Sequence, residues 1–261
     1  MKLFQERSGS GRPVVLLHGL TATHRYVVMG SKSLQRAGHE VLAYDARGHG
    51  ASDPAPSAEA YDYADLTGDL LDVLDEAGIE RAVLAGASMG AHTAVRLALE
   101  HPERVAGLVV VTPAYDPERW PGNLARWDAL SDGLRHGGVD GFVEAYGDEG
   151  PEKWKDTLQT VLRQRLGAHE HPDAVADALK AVPRSRPFAD RGDLRSLDAP
   201  TVVVADRDEP DPGHPLAIGE LYASLIPGAR LVVEEQGQSP IAWQGGQLSK
   251  VIAEVAARAF A

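Results

Sequence analysis

A series of short apolar runs punctuates the chain and constrains its fold more than any other feature: Pro13 to Leu17, Glu40 to Tyr44, Ala82 to Ala85, Val105 to Val111, Pro200 to Ala205 and Arg230 to Glu234. They are too short for core helices and lack the alternation of a strand with one wet face, so they read as strands buried on both sides of a parallel sheet. An edge strand is expected near Leu3 to Arg7. Between the runs lie helix-like stretches. Tyr63 to Ala77 sets Leu66, Leu70, Leu71, Val73 and Leu74 at helical spacing and closes at Gly78. Similar segments fall within Thr23 to Ala37, Ala91 to Leu99, His214 to Leu225 and Gly246 to Phe260. Strand alternating with helix predicts an α/β fold, a mostly parallel sheet flanked by helices on both faces.

One stretch departs from this rhythm. Residues 114–194 carry Trp120, Trp127 and Trp154 among charged, helix-compatible segments, punctuated at Gly137-Gly138, Gly147, Gly150-Pro151 and Pro183. No strand of the preceding kind is expected there. The organisation predicted is a core of residues 1–113 and 195–261 interrupted by a helical insertion, 114–194.

Ligands of open parallel sheets bind beyond the carboxyl ends of the strands, and there the distinctive residues gather: His18-Gly19-Leu20, Asp45 to Gly50, Gly86-Ala87-Ser88-Met89-Gly90, Asp206-Arg207-Asp208-Glu209 and Gly237-Gln238. The pentapeptide places Ser88 on a strand-to-helix turn. Glycines two positions either side suit a turn too tight for side chains, which lifts the serine oxygen above the sheet. Serine becomes a useful nucleophile only with a base to take its proton and fixed donors for the oxyanion that forms.

Through His18-Gly19, Asp45 to Ser52, the Ser88 pentapeptide and Ala205-Asp206-Arg207-Asp208, taken in order over nearly the whole chain, the sequence resembles the α/β-hydrolase family. The resemblance implies a Ser88 nucleophile, an oxyanion hole from the backbone amides of Leu20 and Met89, and Asp208 as the acid, with Asp206 its close competitor. Glu209 then reads as a turn carboxylate. His18 and the Asp45 to Ser52 loop would brace the site. The insertion would be a helical cap, and Trp120, Trp127, Phe142, Tyr146 and Trp243 are candidate walls of a substrate pocket. Hydrolysis of a small or medium carboxylic ester is the leading activity expected, a chemistry that needs no cofactor; the resemblance itself does not choose between ester, thioester, lactone, amide and carbon–carbon bond cleavage.

The family's histidine position holds Gln238, whose amide is far too weak a base to accept the serine proton. All ten histidines lie at or before His214, so none follows the last strand. His214, in the loop after Asp208, is the alternative base, although it also reads as a turn residue entering a helix. His92, one turn beyond Ser88, is a weaker candidate, and His24 is expected to line the pocket mouth. His169-Glu170-His171 lacks a third ligand for a metal site. Three accounts of Gln238 stand: a hydrolase whose histidine was replaced, one that draws its base from elsewhere, or a ligand-binding relative without turnover.

The net charge of -12 disfavours nucleic acid and anionic membranes as partners and otherwise reads as solubility; a small-molecule substrate is what the resemblance implies. Absence of cysteine excludes disulfides, thiolate metal sites and cysteine nucleophiles. No apolar run reaches the roughly 18 residues of a membrane span, and Met1 to Arg7 has no signal-peptide core, so a cytoplasmic location is expected.

Overall fold

A computed structural model describes residues 1–147, 152–208 and 211–261. Gly150-Pro151 and Glu209 lie outside the described residues. A seven-stranded sheet of order β1-β3-β2-β4-β5-β6-β7 forms the centre. β1 (Gln5–Gly9) pairs antiparallel with β3 (His39–Tyr44). β2 (Arg12–Leu17), β4 (Ala82–Ala87), β5 (Val105–Val111), β6 (Thr201–Ala205) and β7 (Arg230–Val233) continue it with parallel pairings.

Because successive strand side chains point to opposite faces, each apolar run supplies two cores. Val15, Leu17, Leu42, Leu84, Leu108, Val110 and Val203 meet α2 (Tyr63–Glu76), α3 (Met89–Glu100) and α7 (Leu216–Leu225). Val14, Leu16, Val41, Val83, Val109, Val202 and Val204 meet α1 (Ser33–Arg36) and α8 (Gly245–Ala259) on the other face. α2 begins with a reciprocal cap, Asp62 accepting from the Asp65 amide while the Asp65 carboxylate accepts from the Asp62 amide.

The helix expected within Thr23 to Ala37 is not continuous. It breaks into a 3-10 turn at His24–Tyr26 and the single turn of α1. Met29 and Gly30 take positive φ values of 48° and 70°, a conformation no α-helix continues through.

Between β5 and β6 the described residues hold α4 (Leu124–Tyr146), α5 (Glu152–Leu166) and α6 (Pro172–Ala181). α4 is broken at Gly138, whose φ of 61° is non-helical. These helices bury a core of their own from Leu130, Leu134, Phe142, Leu162, Leu166, Val175 and Leu179. Leu20 packs against both this cluster and the sheet's. Among the described residues no helix is long and apolar enough to cross a membrane.

Candidate functional site

At the end of β4 the chain turns into α3 through Ser88, whose φ of 50° and ψ of -112° lie outside the ordinary regions for an L-residue. Sterics explain the flanking glycines. A Cβ on Gly86 would stand 2.2 Å from the Gly90 carbonyl oxygen, and one on Gly90 would stand 2.3 Å from that of Leu17. The turn is therefore pinned by backbone on both sides, and the Ser88 amide donates to Val111 O at 2.9 Å. Met89 opens α3, so its amide projects from the helix end without a partner inside the helix. Gly19 brings the Leu20 turn against this elbow, a Cβ there lying 3.4 Å from Ser88 Cβ.

His214 Nε2 stands 2.9 Å from Ser88 Oγ. Its Nδ1 is 2.9 Å from each carboxylate oxygen of Asp211. The tautomer follows from these partners: Nδ1–H donates to the carboxylate, leaving Nε2 to accept the Ser88 hydroxyl proton. Local sequence builds the pair. Asp211-Pro212-Gly213-His214 is a four-residue turn closed by His214 N–H donating to Asp211 O at 3.1 Å, with proline and glycine at the central positions such turns favour. Pro215 disfavours helical backbone at His214, so α7 starts at Leu216 instead of the expected His214 and the imidazole is left free to face Ser88.

Burial opposes charge on both members of the pair, yet their mutual attraction outweighs it. The imidazole is raised above its ordinary value by the Asp211 carboxylate. The Asp211 carboxyl is held below the usual carboxylate range by His214, aided by Arg165.

Asp208, expected as the acid, is turned elsewhere: its Oδ1 accepts the Leu216 amide at 2.6 Å and so caps α7. Gln238 is exposed after β7, its backbone N–H donating to Glu235 O at 3.0 Å. The spacing reading missed Asp211, although the Asp-Pro-Gly-His turn was a usable signal.

Asp206 is fully buried at the end of β6, and neither carboxylate oxygen meets a donor at hydrogen-bonding geometry among the described residues. Burial, with the charges of Asp211 and Glu234 nearby, pushes this carboxyl up to about 8. Between about pH 4 and pH 8 the native protein therefore holds a proton that the unfolded chain has released, and stability falls as pH rises through that window. We expect Asp206→Asn to raise Tm by about 5–10 °C at pH 9 and by little at pH 5. Thermal unfolding at the two pH values checks this, and an equal change at both would contradict it.

His92, His18, His24 and His169 are engaged in bracing. His92 is buried, with Nδ1 3.0 Å from the Tyr63 hydroxyl and Nε2 accepting the Ala114 and Tyr115 amides at 3.1 and 3.2 Å. Burial holds it down to about 3, a neutral ring. His18 accepts the Ala46 amide at 2.9 Å through Nε2 and donates to Gly19 O at 2.8 Å through Nδ1, holding the Leu20 turn. His24 donates its amide to Asp45 Oδ1 at 2.7 Å. His169 accepts the Gly50 amide at 2.8 Å and donates to Thr21 O at 3.0 Å, tying the insertion to the loops after β2 and β3.

The aromatic candidates divide. Phe142, expected at a pocket wall, is instead buried in the insertion's own core, with Trp127 and Tyr146 packed against that core. Trp120 packs against the main core and lies under the Arg186 guanidinium, 4.0 Å from its ring centre. Trp243 meets Trp154 of α5 edge to face at 5.7 Å. α5 thus reaches from the loop after β7 towards the His169 contact, a course across the carboxyl end of the sheet. A separate surface cleft of about 550 Å³ is lined by Glu59, Tyr63, Arg96, Lys180 and Arg184 and does not include Ser88. Three of its cations are ion-paired, Arg96 with Glu100, Lys180 with Asp132 and Arg184 with Asp128, and the fourth, Arg186, lies over the Trp120 ring.

The sequence profile of the alpha/beta hydrolase fold family matches residues 12–245. A 2-hydroxy-6-oxononadienedioate/2-hydroxy-6-oxononatrienedioate hydrolase of Cupriavidus pinatubonensis is 32% identical over 205 residues, covering 76% of this chain and 69% of its own. A non-heme chloroperoxidase of Kitasatospora aureofaciens is 26% identical over 264 residues, covering 96% and 93%. Among solved structures, Est816, described as an N-acyl homoserine lactone degrading enzyme, superposes with a TM-score of 0.75 at 26% identity, covering 99% of this chain and 96% of that one.

Proposed function

This chain belongs to the α/β-hydrolase fold family, and we propose that it is a serine hydrolase of small or medium carboxylic esters, lactones included, with Ser88 as nucleophile, His214 as base and Asp211 as the acid that orients it. One observation carries this reading: Ser88 Oγ, His214 and Asp211 form a continuous hydrogen-bonded line with 2.9 Å at each contact. The similarity to a lactone-degrading enzyme supports the choice of an ester-type bond.

The mechanism follows from the donors. As Ser88 Oγ attacks the ester carbonyl carbon, its proton passes to His214 Nε2, and Asp211 stabilises the imidazolium. The carbonyl oxygen gains charge and is held by the amides of Met89 and Leu20. Collapse expels the alcohol, which takes the proton back from Nε2. Water then gives a proton to His214 Nε2 as its oxygen attacks the acyl carbon; the Ser88 Oγ–acyl bond breaks, Oγ takes the proton back from Nε2, and the acid leaves. Helices α4 to α6 serve as the cap over this centre. Trp243, held by Trp154, is placed to wall the pocket, with Tyr146 and Trp127 at the cap's own edge.

A binding protein without turnover would have no use for a serine joined to a paired imidazole, and the named relatives are enzymes. A fluorophosphonate probe tests the assignment. Rapid labelling of the native protein, absent in Ser88→Ala, is expected. A folded protein whose Ser88 stays unlabelled refutes it.

A further inference from the structure

Arg165 stands in the last turn of α5, near enough to Asp211 for the two charges to act on each other. α5 is anchored at one end by Trp154 on Trp243, beside the loop after β7. Just beyond its other end His169 is anchored on Thr21 and Gly50, beside the loops after β2 and β3. From Trp154 to Arg165 the helix advances about 16 Å, which brings Arg165 from the Trp243 side towards Tyr26. Its guanidinium lies over the ring of Tyr26, 5.4 Å from the centre. Tyr26 follows the Leu20 turn on one side of Ser88. On the other side the guanidinium acts on Asp211 and His214, lowering the proton affinity of both.

This cation is poorly satisfied. Among the described residues its side chain makes no hydrogen bond or ion pair, and its Nε is buried without a partner. The residue as a whole is half-buried, and its two Nη groups are not among the buried atoms without a partner, so they keep contact with solvent. A desolvated guanidinium with no carboxylate in hydrogen-bond contact is costly, and the nearby Asp211 charge relieves only part of it. The ring of Tyr26 and the carbonyl end of α5 offset part of that cost, but they leave the planar fork of donors open.

We propose that Arg165 is a specificity residue that binds a carboxylate carried by the substrate, so that the preferred substrates are esters or lactones with a free carboxylate remote from the bond that is cut. This rests on the reading of Ser88 as nucleophile. A monoanion suits the site better than a phosphate dianion, because a single open guanidinium supplies the recognition and the Asp211 charge lies close by. The planar fork matches a carboxylate with two parallel hydrogen bonds.

The test uses a matched pair of p-nitrophenyl esters, the butyrate and the hemisuccinate, on the native protein, Arg165→Met and Arg165→Lys. The native protein should prefer the hemisuccinate. The ratio of kcat/KM for the hemisuccinate over the butyrate should fall about 10- to 100-fold in Arg165→Met, with partial recovery in Arg165→Lys. An unchanged ratio, even with both activities reduced, overturns the proposal, since it would mean that Arg165 acts only through His214 or through packing. A separate readout is calorimetric binding of monomethyl glutarate to Ser88→Ala with and without Arg165→Met. Binding that depends on Arg165 supports the carboxylate site even if no ester is hydrolysed and Ser88 is not labelled, an outcome that would sink the hydrolase reading alone. Binding indifferent to Arg165 sinks the site.

Discussion

Replacing His214 by alanine is expected to lower kcat for ester hydrolysis by about 10⁴-fold or more, while Gln238→His changes it by no more than about twofold. The difference is one of reach. His214 Nε2 is already 2.9 Å from Ser88 Oγ, whereas Gln238 is exposed in a turn after β7. A histidine at position 238 in the His214→Ala background should likewise fail to restore the rate. The residual activity of His214→Ala would come from the oxyanion amides and substrate binding. Because Asp211 raises the imidazole above its ordinary value, kcat/KM in the native enzyme should fall as pH drops through a value above that of free histidine, where Nε2 becomes protonated and can no longer accept. Steady-state kinetics over pH 5 to 9 measures both effects. Strong gain from Gln238→His, or full activity in His214→Ala, would return the base to the position after the last strand.

Substituting Asp211 by asparagine should cost about 10³- to 10⁴-fold in kcat with little change in KM, and Asp208→Asn should leave turnover nearly intact. Both Asp211 oxygens face His214 Nδ1, so the amide variant can present an N–H there, favour the wrong tautomer and remove the charge that stabilises the imidazolium. Asp208 meets only the Leu216 amide at the start of α7 among the described residues. Its loss is a capping loss, expected at about 0.5–1 kcal/mol of stability. Measuring kcat and Tm for the two variants separates the roles. An Asp208→Asn enzyme crippled in turnover at unchanged Tm would make Asp208 the acid after all.

The strands were legible because burial on both faces selects short apolar runs with sharp ends, and those runs reappear as β2 to β7 within a residue or two. Ser88 was legible for a related reason: Gly86 and Gly90 are the residues that the backbone crowding at the elbow permits. The segment from Thr23 to Ala37 misled, since its composition suits a helix while Met29 and Gly30 adopt left-handed backbone that ends one. Phe142 misled differently. An aromatic side chain reads the same whether it faces a pocket or fills the insertion's core, and only packing against Leu130, Leu134 and Val175 decides it.

By itself the sequence determined the sheet, the elbow and the absence of a histidine beyond β7, since each depends on local periodicity, local sterics or composition. Tertiary structure decided which imidazole meets Ser88, which of three nearby aspartates meets that imidazole, and where Arg165 points. Asp206, Asp208 and Asp211 lie within six positions of one another, yet one is buried and protonated, one caps a helix and one pairs with His214. Spacing along the chain cannot separate them, because their roles follow from how the turn after β6 folds across β5 to reach the end of β4.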